Sequence, residues 1–215
     1  MKKRTESRSY QIFLLSPARV GGLRTDLLLS PKARFDLAHQ LQTTGASLGE
    51  VFTFLSGLYF RGKLIYANRF VRPYRKVPGI YVIISNLGLV PVETIVTKED
   101  LISFGEIPID PADKRYVQNL QNAASELLKK LPRKVDVILL GSIGSKKYAE
   151  LLINIFGDRL KFPPDFVGRG DMSRGGLLLR RAESGEELEY VPIAGAVRHG
   201  KRPPKLEPRR WIFRS

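Results

Sequence analysis

The densest run of chemically capable side chains is Gly168-Arg169-Gly170-Asp171-Met172-Ser173-Arg174-Gly175-Gly176. The guanidiniums of Arg169 and Arg174 suit planar, two-pronged contact with phosphate. Asp171 between them can orient an arginine or take a proton as the catalytic base, and Ser173 adds a hydroxyl. A second candidate lies at Ile12–Arg24, where the apolar run Ile12–Leu15 stops at Ser16-Pro17 and Arg19 and Arg24 flank Gly21-Gly22. A hydroxyl, free amides and two cations at the carboxyl end of a buried strand form an anion site where open α/β sheets place their ligands. A third is Gly141-Ser142-Ile143-Gly144-Ser145, between an apolar run and a helix-like segment. Its helix-start amides and the hydroxyls of Ser142 and Ser145 can face phosphate. The GxxxxGK[ST] and GxGxxG fingerprints are absent, which sets aside ATPase and dehydrogenase readings.

These residues need a scaffold, and the apolar pattern supplies one. Ile12–Leu15, Gly79–Ser85 and Val135–Leu140 read as buried strands. Between them, Pro31–Leu41 reads as a short helix, and Ser47-Leu48-Gly49-Glu50 has capping-box spacing ahead of a second helix. Arg61-Gly62-Lys63 interrupts the pattern that follows, predicting two short helices joined by a basic hinge with Lys63 facing a phosphate backbone. Arg69 opens a basic, proline-containing connector. Asp110-Pro111 predicts a helix start and Pro132 its end. The fold expected is α/β: a mixed sheet with flanking helices, a helical hairpin insert over 47–70, and a basic cleft at the strand ends. The loops Ser16–Arg24, Ser85–Pro91, Gly141–Ser145 and Gly168–Gly176 should gather along one face of that sheet. One domain spans 12–197, between a basic N-terminal tail at 1–11 and a basic C-terminal tail at 198–215.

Composition narrows the partner. The chain has 215 residues and a formal net charge of +15, a field attractive to polyanions. Trp211 and Phe213 interleave with the C-terminal charges, an arrangement open to base stacking. Cysteine is absent, and His39 and His199 are the two histidines, so thiolate catalysis, disulfides and a zinc site are set aside and no metal or cofactor is expected. Neither histidine lies in a triad signature. No apolar run approaches the ~20 residues of a membrane span. The expectation is a cytoplasmic protein with no membrane partner.

Four fragments, in order, resemble the YaaA family of peroxide-stress-associated bacterial proteins. They are Leu15-Ser16-Pro17-Ala18-Arg19, Gly62-Lys63-Leu64 through Ala67-Asn68-Arg69-Phe70, Leu87-Gly88-Leu89-Val90-Pro91, and Gly168-Arg169-Gly170-Asp171-Met172-Ser173-Arg174. The resemblance implies a mixed α/β fold, a helix-hairpin-helix-like element carried here by Ser47–Phe70, a basic cleft associated with DNA binding, and a role in protecting DNA during oxidative stress. The leading expectation is thus a nucleic-acid-binding protein that favours DNA over RNA. The alternative is an enzyme acting on a nucleotide, or on a nucleobase in DNA in the manner of a glycosidase, with Asp171 as acid or base. A third reading is RNA or ribosome association through the tails alone.

Overall fold

A computed structural model describes residues 9–206, so Trp211, Phe213 and the outer parts of both basic tails lie outside the described residues. Strand β1 (Gln11–Leu15) is buried along its whole length. After it come α1 (Leu23–Leu29), α2 (Asp36–Thr43), the short β2 (Ala46–Ser47), α3 (Leu48–Ser56) and α4 (Leu58–Phe70), before β3 (Ile80–Ile84) pairs parallel with β1. β4 (Gly88–Pro91) folds back antiparallel on β3, and β5 (Ile95–Val96) pairs with β2. Helices α5 (Lys98–Ser103) and α6 (Lys114–Lys130) then carry the chain to β6 (Asp136–Leu140), which pairs parallel with β1 on its other side. α7 (Ala149–Phe156), β7 (Leu160–Phe162), α8 (Asp171–Ser184) and β8 (Val191–Pro192) complete the fold. The main sheet runs β4-β3-β1-β6-β7-β8, parallel in its four inner strands and antiparallel at both edges.

The fold expected from sequence is the one observed, a mixed sheet between helical layers. Strand side chains alternate between faces, which divides the core in two. Phe13, Leu15, Val82, Ile84, Ile138 and Leu140 pack under α3, α4 and α8. Ile12, Leu14, Tyr81, Ile83, Val137 and Leu139 pack under α6 and α7. The chain leaves β1 towards β3 on one side and returns to β6 on the other. That reversal opens a crevice at the carboxyl ends of the strands, where such sheets bind ligands.

Several local expectations need correction. The basic hinge at Arg61-Gly62-Lys63 does not exist: α4 runs through it unbroken, and the chain turns instead at Gly57, whose φ of 65° suits glycine. The Gly168–Gly176 loop is a loop only in its first part, because α8 begins at Asp171. Helix α6 is capped by Asp113, whose side chain accepts from the Arg115 amide, while Asp110 holds the preceding turn through the Ala112 amide at 2.9 Å. The Ser47–Glu50 capping box forms as read from sequence, and Thr97 with Asp100 caps α5 in the same way.

Gly62 and Gly175 lie inside helices because α4 and α8 meet there backbone to backbone. A Cβ on Gly62 would lie 2.7 Å from the Gly175 carbonyl oxygen, and one on Gly175 would lie 2.9 Å from Tyr59 Cα. The two helices share the most extensive contact between any two elements.

Gly62→Ala tests that contact by the sign of its effect. In an unobstructed helix this change adds about 1 kcal/mol of stability. Here the methyl must push two backbones apart, so a loss of about 1–3 kcal/mol is expected instead, read as a lower midpoint in thermal or denaturant unfolding. Buried tyrosines give a second test. Burial pushes the hydroxyls of Tyr66, Tyr81 and Tyr148 up to about 12 from an ordinary 10.0, and those of Tyr116 and Tyr190 up as well. Their stabilisation is complete below pH 10 and is lost as pH rises through the folded-state values. Tyrosinate absorbance from these rings should appear cooperatively with alkaline unfolding; a gradual rise in a chain that keeps its circular dichroism would contradict the assignment.

Candidate functional site

The crevice is built from three strand ends. Ser16 follows β1, Ser85 follows β3 and Gly141 follows β6. Gly141 brings two of them together, since a Cβ there would fall 3.0 Å from Ser16 Cβ and 3.2 Å from Ser16 Oγ. Ser85 is buried and donates to the Phe104 carbonyl at 3.1 Å, tying the α5–α6 connection to the end of β3. Beside these ends lies a cavity of about 640 Å³, lined by Ser85 and by the Pro17–Val20 turn that follows Ser16. Phe52, Phe104, Ile107 and Ile83 give apolar wall, while Arg19, Lys147, Asp110 and Tyr148 supply polar atoms.

Beside this cavity sits the most unusual group of the fold. Lys63 is 1 % exposed, although it carries an amine. It belongs to the apolar stripe Tyr59, Lys63, Tyr66 and Phe70 on the buried side of α4. Its Nζ donates to the Ser16 carbonyl and, at 2.8 Å, to Ser16 Oγ. The Tyr59 ring lies 4.4 Å away and that of Phe60 5.1 Å. Burial lowers the Lys63 amine to about 7, opposed by Asp171 and reinforced by Arg174. Lowering in this direction brings an amine towards the range in which a proton-transfer group works best.

Helix α8 supplies the lid. Arg174 is held by two bonds to the Phe166 carbonyl, at 3.1 and 3.2 Å, and its guanidinium lies 5.5 Å from the Phe166 ring. Its Nη1 is 3.5 Å from Asp171, whose side chain is 69 % exposed. The Tyr59 hydroxyl is buried beside Arg174 without meeting hydrogen-bond geometry, and has no partner among the described residues. Burial raises that hydroxyl, and it raises Tyr148 to about 12, with Asp171 adding to both.

The strand-end candidates thus come together unevenly. Ser16, Lys63, Asp171 and Arg174 share one neighbourhood around the carboxyl end of β1, with Ser142 next to Gly141, and Arg19 reaches the adjoining cavity. Ser145 lies further along the same β6–α7 segment. Arg169 turns to the other side of α8: it donates to the Asp165 carbonyl, to Ser173 Oγ at 3.2 Å and to the Pro204 carbonyl at 3.5 Å. Arg24 reaches the Phe54 carbonyl at 2.8 Å at the end of α3. Arg69 lies at the far end of α4, in a shallow groove between α4 and α8. The sequence reading placed Ser85 at a strand end without a role and missed Tyr59, Lys147 and Tyr148; a lysine within an apolar helical stripe was the available signal for Tyr59 and for the burial of Lys63.

Residues 198–206 cross the top of the fold beside the site. His199 lies against Gly144, the Lys201 carbonyl against Gly168, and Leu206 against Gly176. Arg198 lies 3.7 Å from Glu150. Arg169, Arg180, Arg202 and Lys205 line the groove between this segment and α8. The chain matches no family model, and neither the curated proteins nor the solved structures contain a significant match to it.

Proposed function

We propose that the protein binds nucleic acid, DNA in preference to RNA, and admits one nucleotide unit to the crevice at the ends of β1 and β3. The observation that carries this reading is the cavity of about 640 Å³, with apolar wall for a base and the cations Arg19 and Lys147 at its polar part. Its size and lining are those of a small-molecule site. A net charge of +15 and the cationic groove along α8 give a backbone-tracking surface next to it. The resemblance to the YaaA family supports DNA as the partner and protection of DNA under oxidative stress as the setting. In this reading Arg174 contributes positive potential, and Asp171 holds Arg174 over the site.

Titration of fluorescent DNA and RNA oligonucleotides at several salt concentrations tests the proposal. Log affinity should fall linearly with log salt, by about 0.9 per neutralised duplex phosphate. Arg19→Ala should weaken binding and lower that slope by about one contact; an unchanged slope and affinity would remove the crevice from the interface. Deletion of residues 207–215 takes away three arginines. Affinity should then decrease but persist, whereas its complete loss would assign binding to the tail.

A further inference from the structure

The contact between Ser16 and Lys63 has the form of a nucleophile with its base. Ser16 Oγ lies 2.8 Å from Lys63 Nζ, within the range in which a proton passes directly. The serine occupies the first position after the central strand, where the backbone bends into Pro17-Ala18-Arg19, which line the cavity. Ser16 is 6 % exposed, and its Oγ lies between Lys63 Nζ and the Leu140 carbonyl, to which it donates at 3.4 Å. Gly141 keeps a side chain off it, since a Cβ there would fall 3.2 Å from Oγ. The groups facing Lys63 are Ser16 after β1, Tyr59 from its own helix, and Asp171 and Arg174 from α8. Tyr148, from the segment after β6, stands near the same acid. Among the described residues Lys63 has no carboxylate in hydrogen-bond contact.

We propose that Ser16 is a nucleophile activated by Lys63 and directed at a phosphodiester, which makes the protein a phosphodiester-cleaving or phosphodiester-transferring enzyme. The substrate class rests on the nucleic-acid reading above. In the first step neutral Lys63 takes the Ser16 hydroxyl proton as Oγ bonds to phosphorus. The bond from phosphorus to the leaving ester oxygen breaks, and that oxygen receives the proton from the Lys63 ammonium. Water, or a hydroxyl of a second strand, then attacks the phosphorus of the phosphoserine diester as Lys63 takes its proton; the bond from phosphorus to Oγ breaks, and Oγ receives the proton from the Lys63 ammonium, which regenerates Ser16 and the neutral amine. The arginines near the crevice suit the charge on the phosphoryl oxygens. This role needs no carboxylate base, and leaves Asp171 as a positioning residue for Arg174.

Diisopropyl fluorophosphate separates this inference from the binding reading, since it phosphorylates an activated serine without nucleic acid. The expected reaction joins Ser16 Oγ to phosphorus, expels fluoride and places the proton on Lys63. Mass spectrometry of the intact protein and its peptides should find one adduct, on Ser16, and none in Ser16→Ala. Only the neutral amine accepts a proton, so the labelling rate should rise with pH through a midpoint of about 7. Lys63→Met, checked for folding by circular dichroism, should slow labelling by about a hundredfold or more. If that variant does not fold, the pH profile of the natural protein decides. An unlabelled Ser16, a rate flat across neutrality, or equal labelling of folded Lys63→Met would each overturn the proposal. Labelling of a protein that binds no oligonucleotide would leave the serine in place and remove the nucleic-acid substrate.

Discussion

The carboxyl edge of this sheet depends on the approach of two helices at a pair of glycines. Gly62 and Gly175 let α4 and α8 touch through their backbones. Helix separation is ordinarily set by the side chains at the contact, with axes about 8–10 Å apart. A larger side chain at either position would lift α8 and carry Asp171 and Arg174 away from Lys63. The contact also closes α8 over the amine, excluding water from one turn of α4. The local dielectric, and with it the chemistry open to Lys63, therefore follows from two missing side chains.

A buried amine is costly unless the fold offers it partners or lets it lose its proton. Here both routes are open. The charged form is met by the Ser16 carbonyl and hydroxyl and by the aromatic face of Tyr59, while desolvation favours the neutral form. This balance distinguishes Lys63 from the exposed cations of the same chain, which face solvent. A chain with so many exposed lysines and arginines thus contains one whose environment gives it a different use.

The features legible in the sequence are those set by neighbouring residues. Ile12–Leu15 of β1 and the whole of β3 are continuous apolar runs, and the Ser47–Glu50 cap is a four-residue pattern whose geometry is local. Strand ends and their polar turns follow from these, so Ser16 and the Gly141 turn could be placed at one edge before any coordinates. Gly62 misled for the opposite reason. Glycine inside a helical pattern signals a break when only local propensity is weighed, and its actual cause, Gly175, lies more than a hundred residues away. Arg24 and Arg69 were grouped with the site by charge, but charge carries no direction: one closes a helix end and the other lies along the far part of α4. Asp110 reads as the cap of α6 because Pro111 follows it, but it holds the turn before the helix, and Asp113, three residues on, is the cap.

The two outer strands have a consequence for the protein in concentrated solution. β4 ends at Pro91 and β8 consists of Val191-Pro192, so each exposed edge of the main sheet is short and carries a residue without an amide hydrogen. An incoming strand from a second molecule would find an incomplete row of donors at either side. Sheet growth by edge pairing, the usual first step towards fibrous aggregation, is blocked at both ends of a core that is otherwise rich in β-branched residues.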